Sequence, residues 1–363
     1  MLLNEGELIR DVYEIDRFLG EGAFAEVYRV KHKFLGRQAM KVFKSPSKSL
    51  KEVEEKLGEA IILSRIGHPN IIRVFDAGIL ETRVGECGYF TMEYVPGGNL
   101  ETFWQRHGVN LIPFSDTMDI IKQICSGLAL AHAEKPPIIH RDIKPQNILV
   151  GYDAGGLRIR VSDFGLAKRV NPLTLAASAA GTPSFMPPEC LSNVSSCAGD
   201  VWAIGTIFYL LLTDHLPFPI NSIVDFKKGK CWEHSLIPAS HFNTQVDSAL
   251  DSILSRALEL KPVDRYPDAM AILNDIMTWK PTESVRSRKQ NESIDESKTA
   301  LGTSSQPGEA AALEMAQKAL KLSKDVRKLT EAADLLEEAL NRCPKLREKY
   351  EYQLKLWRRG IMI

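Results

Sequence analysis

The sequence predicts an α+β protein of two unequal lobes, a small β-rich one and a larger helical one, followed by a helical tail. Three features carry this reading. Between residues 12 and 95, runs of β-type residues are broken by a single stretch of helical periodicity. At Pro96-Gly97-Gly98 the chain breaks and helical spacing takes over, and after Trp279 a polar, Ser-rich stretch separates this body from a last helical segment. The first strands are Tyr13–Leu19 and Ala25–Lys31, on either side of a glycine-rich turn, then Gln38–Phe43. Lys51–Ile66 carries Val53, Leu57, Ala60, Ile61 and Ser64 on one helical face and stops at Gly67-His68-Pro69. Beyond the break, Asp116–Glu134, Ser196–Leu212, Val246–Glu259 and Asp268–Met277 read as helices.

The chain has 363 residues, 44% of them hydrophobic and 25% charged, enough for a sizeable buried core. Its 46 Lys+Arg balance 46 Asp+Glu, which removes the electrostatic argument for a nucleic-acid binder. Six cysteines without a C-x-x-C or zinc spacing suit reduced thiols, so a cytoplasmic location is expected. Glu5, Glu7 and Arg10 interrupt the N-terminal apolar residues, unlike a signal peptide. The longest apolar run, Val201–Leu212, is too short to span a bilayer, so no transmembrane segment is expected.

Gly20-Glu21-Gly22-Ala23-Phe24-Ala25 lies between two strands. Glycines there let backbone N–H groups approach phosphate oxygens, and the lack of a following helix argues against a dinucleotide fold. Lys41 sits on the next strand among apolar neighbours. Two further motifs follow, His140-Arg141-Asp142-Ile143-Lys144-Pro145-Gln146-Asn147 and, 21 residues past Asp142, Asp163-Phe164-Gly165. With these in order, the chain over residues 12–280 resembles a eukaryotic-type (Hanks-type) serine/threonine protein kinase.

The resemblance implies the bilobal protein-kinase fold, with an N-lobe over residues 12–95 and a C-lobe over residues 96–280. It implies transfer of the ATP γ-phosphoryl group to Ser/Thr hydroxyls of protein substrates, a reaction that needs positioning and charge neutralisation more than covalent chemistry. By similarity, Leu19, Gly20, Glu21, Gly22, Ala23, Phe24, Val27, Ala39, Met92, Glu93, Val95 and Leu149 surround ATP, and Lys41 meets its phosphates. Among the helix carboxylates Glu52, Glu54, Glu55 and Glu59, spacing to His68 singles out Glu59 as the partner of Lys41. Asp142 is then the catalytic base and Lys144 its neighbour at the γ-phosphate. Asn147 and Asp163 are the Mg²⁺ ligands, with Mn²⁺ an alternative, since both ions take hard oxygen donors.

The same resemblance assigns architecture. Glu189, in Pro187-Pro188-Glu189 where relatives usually begin with Ala, should pair with Arg265, and Asp200 should hold the backbone of the His140–Asp142 loop. Leu63, Val74, His140 and Phe164 resemble the stacked spine of the active state. Asp163–Glu189 is the activation segment by position. Ser178, or alternatively Thr174, is the expected phosphosite, and the resemblance implies autophosphorylation there, with Arg141 and Lys168 forming the phosphate pocket. Asn99 and Gln146 are neutral where arginine-directed relatives often carry glutamates, so basic residues N-terminal to the acceptor are expected to be weakly favoured.

Residues 281–309 read as a flexible polar linker. Residues 310–363 carry net +4 against net −4 for the rest of the chain. Ala332, Leu336, Ala339 and Pro344 faintly resemble half of a tetratricopeptide repeat; an amphipathic hairpin fits as well. Six basic residues interleaved with Tyr350, Tyr352 and Trp357 over Lys345–Arg359 leave a protein partner or a membrane surface open for this tail. The rival functional readings are a pseudokinase scaffold acting through the tail and a small-molecule phosphotransferase of related fold. Intact Lys41, Asp142, Asn147 and Asp163 argue against the first, and Arg141, Lys144 and the Thr182 segment against the second.

Overall fold

The structure is a computed structural model that describes residues 1–46, 49–107, 111–153, 156–164, 183–220, 222–281, 307–323 and 329–342, with single positions beyond. It divides into two compact units, Met1–Val285 and Arg286–Ile363.

The first unit opens with a six-stranded antiparallel sheet in the order β1-β2-β3-β4-β6-β5. These are β1 (Leu8–Ile9), β2 (Tyr13–Glu21), β3 (Ala25–His32), β4 (Gly36–Phe43), β5 (Val74–Thr82) and β6 (Gly85–Glu93). Residues 1–11, outside the expected 12–280 domain, belong to this lobe. Leu2, Leu3 and Ile9 are buried with Tyr28, Met40 and Tyr89 in a separate outer core. The helix expected over Lys51–Ile66 is interrupted, as α1 (Leu50–Lys56) and α2 (Gly58–Arg65). Gly58 is a poor helix former, yet Leu57 N–H to Val53 O and Ile61 N–H to Leu57 O bridge the break. β5 and β6 carry no strand signal in the sequence because β5 lacks clean alternation and β6 is almost continuously buried.

Pro96-Gly97-Gly98 is a close crossing between lobes. A Cβ on Gly97 would lie 2.1 Å from the Val150 carbonyl oxygen, so only glycine lets the hinge press against that strand. Val150 N–H donates to Gly98 O at 2.8 Å, and Gly98 itself has φ +83°.

The second lobe contains α3 (Leu100–His107), α4 (Phe114–Ala133), α5 (Cys197–Thr213), α6 (Ile223–Lys227), α7 (Ser248–Ala257) and α8 (Ala269–Thr278). A two-stranded hairpin, β7 (Ile148–Asp153) with β8 (Gly156–Val161), lies against α4. α5 is apolar all round and almost wholly buried, the signature of a core helix. Ser196 caps it by accepting the Gly199 N–H. Burial pushes the Cys125 and Cys190 thiols up to about 12, so these cysteines are packing groups and not nucleophiles. No described helix is long and apolar enough to cross a membrane.

The second unit contains α9 (Pro307–Leu322) and α10 (Leu329–Arg342). Ala316 and Ala319 are buried with Ala332, Ala333, Leu336, Ala339 and Leu340, joined by Tyr350 and Trp357. Small side chains let the two helices approach closely. Among the described residues this unit holds one helical pair with its own core.

Each unit closes its own apolar core, so truncation after Val285 is expected to leave a protein with one cooperative thermal transition. Calorimetry of the truncated and full chains checks this. Aggregation or a broadened transition would show that the tail completes the core.

Candidate active site

β4 is buried on both faces and carries Lys41 into the interior between the lobes. An ammonium there needs carboxylate partners. Lys41 Nζ donates to Glu59 Oε2 at 2.9 Å and also to Asp163 Oδ1. The three groups come from β4, α2 and the segment after β8. Burial disfavours the Lys41 ammonium, but attraction to Asp163 and Glu59 outweighs it and holds the pKa above its ordinary value. Burial likewise opposes ionisation of Asp163. The Lys41 charge and hydrogen bond prevail, and its carboxyl lies below the usual range. For Glu59 burial wins. Helped by the nearby Asp163 charge, it lifts this carboxyl to about 7 against the pull of Lys41.

Opposite this triad lies the 3₁₀ turn Pro145–Asn147 with the residues that precede it. The Asn147 Nδ2 group donates to the Asp142 carbonyl at 2.8 Å and to Asp142 Oδ2 at 2.9 Å. Lys144 Nζ stands 2.9 Å from the same carboxylate oxygen. Asp200, buried at the start of α5, accepts the backbone N–H of His140 at 2.7 Å and of Arg141 at 2.8 Å. His132 lies 3.0 Å from the same carboxylate. These bonds hold Arg141 at φ +69°, while Asp163 sits at φ +62°, both in the left-handed region that non-glycine residues rarely adopt. The His140 ring contacts the Phe164 ring at 4.5 Å and the Ser162 carbonyl at 2.9 Å. Leu63, His140 and Phe164 are buried, and Val74 packs partly buried against the same core.

Between the lobes is a cleft of about 760 Å³. Leu19, Gly20, Glu21, Gly22, Ala23, Phe24, Val27, Ala39, Lys41, Met92, Glu93, Val95 and Leu149 all line it, as do Asp142, Lys144, Asn147 and Asp163. Glu59 stands behind Lys41. The volume suits a nucleotide-sized ligand. A Cβ on Gly20 would meet nothing within 4 Å, so the turn leaves open space beneath its backbone. Both Asn147 amide bonds go to Asp142, which leaves its carbonyl oxygen, with the Asp163 carboxylate, as hard donors. So sparse a set fits a divalent ion that completes its shell with phosphate and water.

These features agree with what residues 13–279 resemble. Residues 13–279 match the model of the protein kinase domain. The chain belongs to the protein kinase family. Relatives include a probable serine/threonine-protein kinase of Clostridium perfringens, 30% identical over 77% of this chain and 40% of its own length. PrkC of Bacillus subtilis, a serine/threonine-protein kinase, is 31% identical over 75% of this chain and 41% of its length. The chain thus spans well under half the length of these relatives. Among solved structures, the Mycobacterium tuberculosis PknI kinase domain superposes with a TM-score of 0.56 at 25% identity, covering 76% of this chain and 99% of that one. Rad53 residues 1–466 in complex with AMP-PNP gives 0.56 at 27% identity over 72% of this chain and 64% of that one. The kinase family uses ATP and a divalent metal.

Within this kinase fold, Arg265 and Glu189 form the expected pair, bidentate at 2.7 and 2.8 Å. Arg141 is exposed. Ser178, Thr174, Thr182 and Lys168 lie outside the described residues. Further features were not read from sequence, among them Arg106 in the last turn of α3, which lines the cleft. Arg160 on β8 pairs with Glu93 at the end of β6 at 2.8 Å, tying the strand before Asp163 to the segment that joins the lobes. Arg17 also lines the cleft, and alternation back from Leu19 along β2 was the signal that could have found it.

A raised folded pKa means stability that is present below the unfolded value and lost as pH rises towards the folded one. Wild type is therefore expected to lose stability relative to Glu59→Gln between about pH 4.5 and 7. Urea titrations across that window test this; a constant difference would show Glu59 ionised throughout.

Proposed function

We propose that this chain is an ATP-dependent serine/threonine protein kinase. The observation that carries the reading is the Lys41 ammonium held by Glu59 and Asp163 across the cleft from the Asp142–Lys144–Asn147 cluster. Lys41 would bind the α and β phosphates of ATP under the Gly20–Ala25 turn. Asn147 and Asp163 would hold Mg²⁺, which screens phosphate charge when bound. Asp142, fixed by Asn147, would orient the acceptor hydroxyl and take its proton, and Lys144 would stabilise charge on the transferring group. The named relatives are serine/threonine kinases, which supports a protein hydroxyl as acceptor. Mn²⁺ is a chemically suitable replacement for Mg²⁺. The tail, with its own core, would serve a protein partner.

Lys41→Met and Asp163→Asn are each expected to lower kcat/KM by about 10²–10³-fold or more, and Asp142→Ala by about 10²–10⁴-fold. Radiolabel transfer to generic protein substrates, with circular dichroism as a folding control, checks this. Equal ATP binding and no transfer by wild type would identify a pseudokinase scaffold. Transfer to small alcohols but not to proteins would identify a small-molecule phosphotransferase.

Ser178, or alternatively Thr174, is the activating phosphosite in this reading. A phosphate brings roughly −2 charge that the exposed Arg141, with Lys168, would neutralise. Phosphosite mapping after incubation with ATP should find Ser178 or Thr174, and the double alanine variant should lose most activity. Full activity in that variant would show that the segment organises itself without phosphate.

A further inference from the structure

Past the hinge end of the cleft, the same face of the sheet carries an excess of positive charge. Val27, Ala39 and Lys41 line the cleft, so alternation puts Arg29 and Lys31 of β3 and Arg37 of β4 on that side. The register sets Arg17 directly opposite Arg29 and Lys31 directly opposite Arg37. Like charges so placed destabilise a sheet. These four cations face two carboxylates, Glu14 opposite Lys31 and Asp16 at the bulge before Arg17. Asp16 Oδ2 accepts the Arg29 Nε–H and lies 4.0 Å from Arg37 Nε. Among the described residues Arg17 pairs with no carboxylate; its Nη2 group donates to the Tyr94 hydroxyl at 3.4 Å. The Arg29 guanidinium lies 5.6 Å from the centre of the same ring. Glu93, next to Tyr94, is taken by Arg160 at 2.8 Å. The Arg29 hydrogen bond holds the Asp16 carboxyl below its ordinary range, with help from the charges of Arg37 and Arg17. Burial opposes ionisation of the Tyr94 phenol, but Arg29 and Arg17 outweigh it and keep its pKa below the ordinary value. Both oxygens thus sit in positive potential, and Arg17 and Tyr94 line the cleft.

We propose that Arg17, Arg29 and Arg37 form a docking site for the phosphate of a phosphorylated protein segment. A phosphate monoester brings roughly −2 charge and three acceptor oxygens, which matches the excess of two cations. Guanidinium forks suit phosphate oxygens, and here they come from three neighbouring strands. The triphosphate of ATP is not the anion concerned. Lys41 pairs with Phe90 along β6, so Tyr94 lies four strand positions further on, about 13 Å from the ammonium that would hold those phosphates. Arg17 and Arg37 are exposed, which suits an extended chain passing over the surface better than an enclosed metabolite. The reaction proposed above also makes phosphate monoesters on proteins. A protein phosphorylated once would leave that group here and keep a second hydroxyl at raised effective concentration near Asp142.

The choice of ligand rests on the kinase reading, so binding and transfer are measured separately. A fluorescein-labelled peptide with one phosphoserine among glycines and serines is titrated by anisotropy, beside an unphosphorylated twin and a twin with glutamate in its place. The phosphopeptide is expected to bind at least tenfold more tightly than the unphosphorylated twin and several-fold more tightly than the glutamate twin. Both gaps should shrink as NaCl is raised from about 50 to about 500 mM, and saturating AMP-PNP should leave binding in place. Arg17→Gln and Arg37→Gln should each weaken binding several-fold, and Arg17→Lys less. Asp16→Asn, which removes the competing carboxylate, should tighten it, a change of sign that a merely structural role would not produce. In transfer assays a two-site peptide already phosphorylated once should show a several-fold higher kcat/KM than its unprimed twin, and Arg17→Gln should bring that ratio close to one. Equal binding of the phosphopeptide and either twin, its loss with AMP-PNP, or no change in both arginine variants would overturn the docking site and leave the kinase reading intact. Phosphopeptide binding with no transfer to any peptide or protein would uphold the site and overturn the kinase reading.

Discussion

A single buried ammonium holds the two lobes in register. Lys41 is enclosed by protein, and its charge is tolerable there only because Glu59 and Asp163 reach it from different elements. Two carboxylates share one cation, and burial acts on them unequally. Asp163 stays strongly acidic, while Glu59 is lifted towards neutrality. The cluster also sets the position of α2 relative to β4, so the small lobe has one favoured arrangement over the cleft.

The larger lobe contributes a second rigid point. Asp200, at the start of a helix that is almost wholly buried, takes both N–H groups of the His140–Arg141 loop. Left-handed backbone at Arg141 and Asp163 stores strain that these bonds and the His140–Phe164 contact hold in place. The backbone that carries Asp142 is consequently placed by groups that do not themselves line the cleft, while Asn147 and Lys144, which do, hold its carboxylate. The Glu189–Arg265 pair anchors the segment that follows, beneath the Trp202 ring at 4.9 Å from the guanidinium.

Much of this was legible in the chain. The Gly20–Ala25 turn, Lys41, Asp142, Asn147 and Asp163 stand in short motifs whose residue types the chemistry demands, and all of them line one cleft. Four helices of the larger lobe fall within two residues of their apolar periodicity, while the shorter α3 and α6 gave no such signal. Less legible were β5, whose residue types do not alternate cleanly, β6, where burial on both faces leaves no alternation, and residues 1–11, whose few apolar groups gave no periodic signal. The break at Leu57 followed from a glycine that helical patterning alone passes over.

By itself, then, the sequence determined which residues could do the chemistry, because phosphate, metal and hydroxyl each require particular side chains at short, fixed spacings. Only the tertiary structure decided how those groups act on one another. Arg160 reaching Glu93, Asp200 gathering the His140 loop, and Glu101 meeting Gln146 join residues 45 to 67 positions apart. No local pattern encodes such a meeting, since charge and hydrogen bonding depend on distance through space, which the packing of the lobes alone sets.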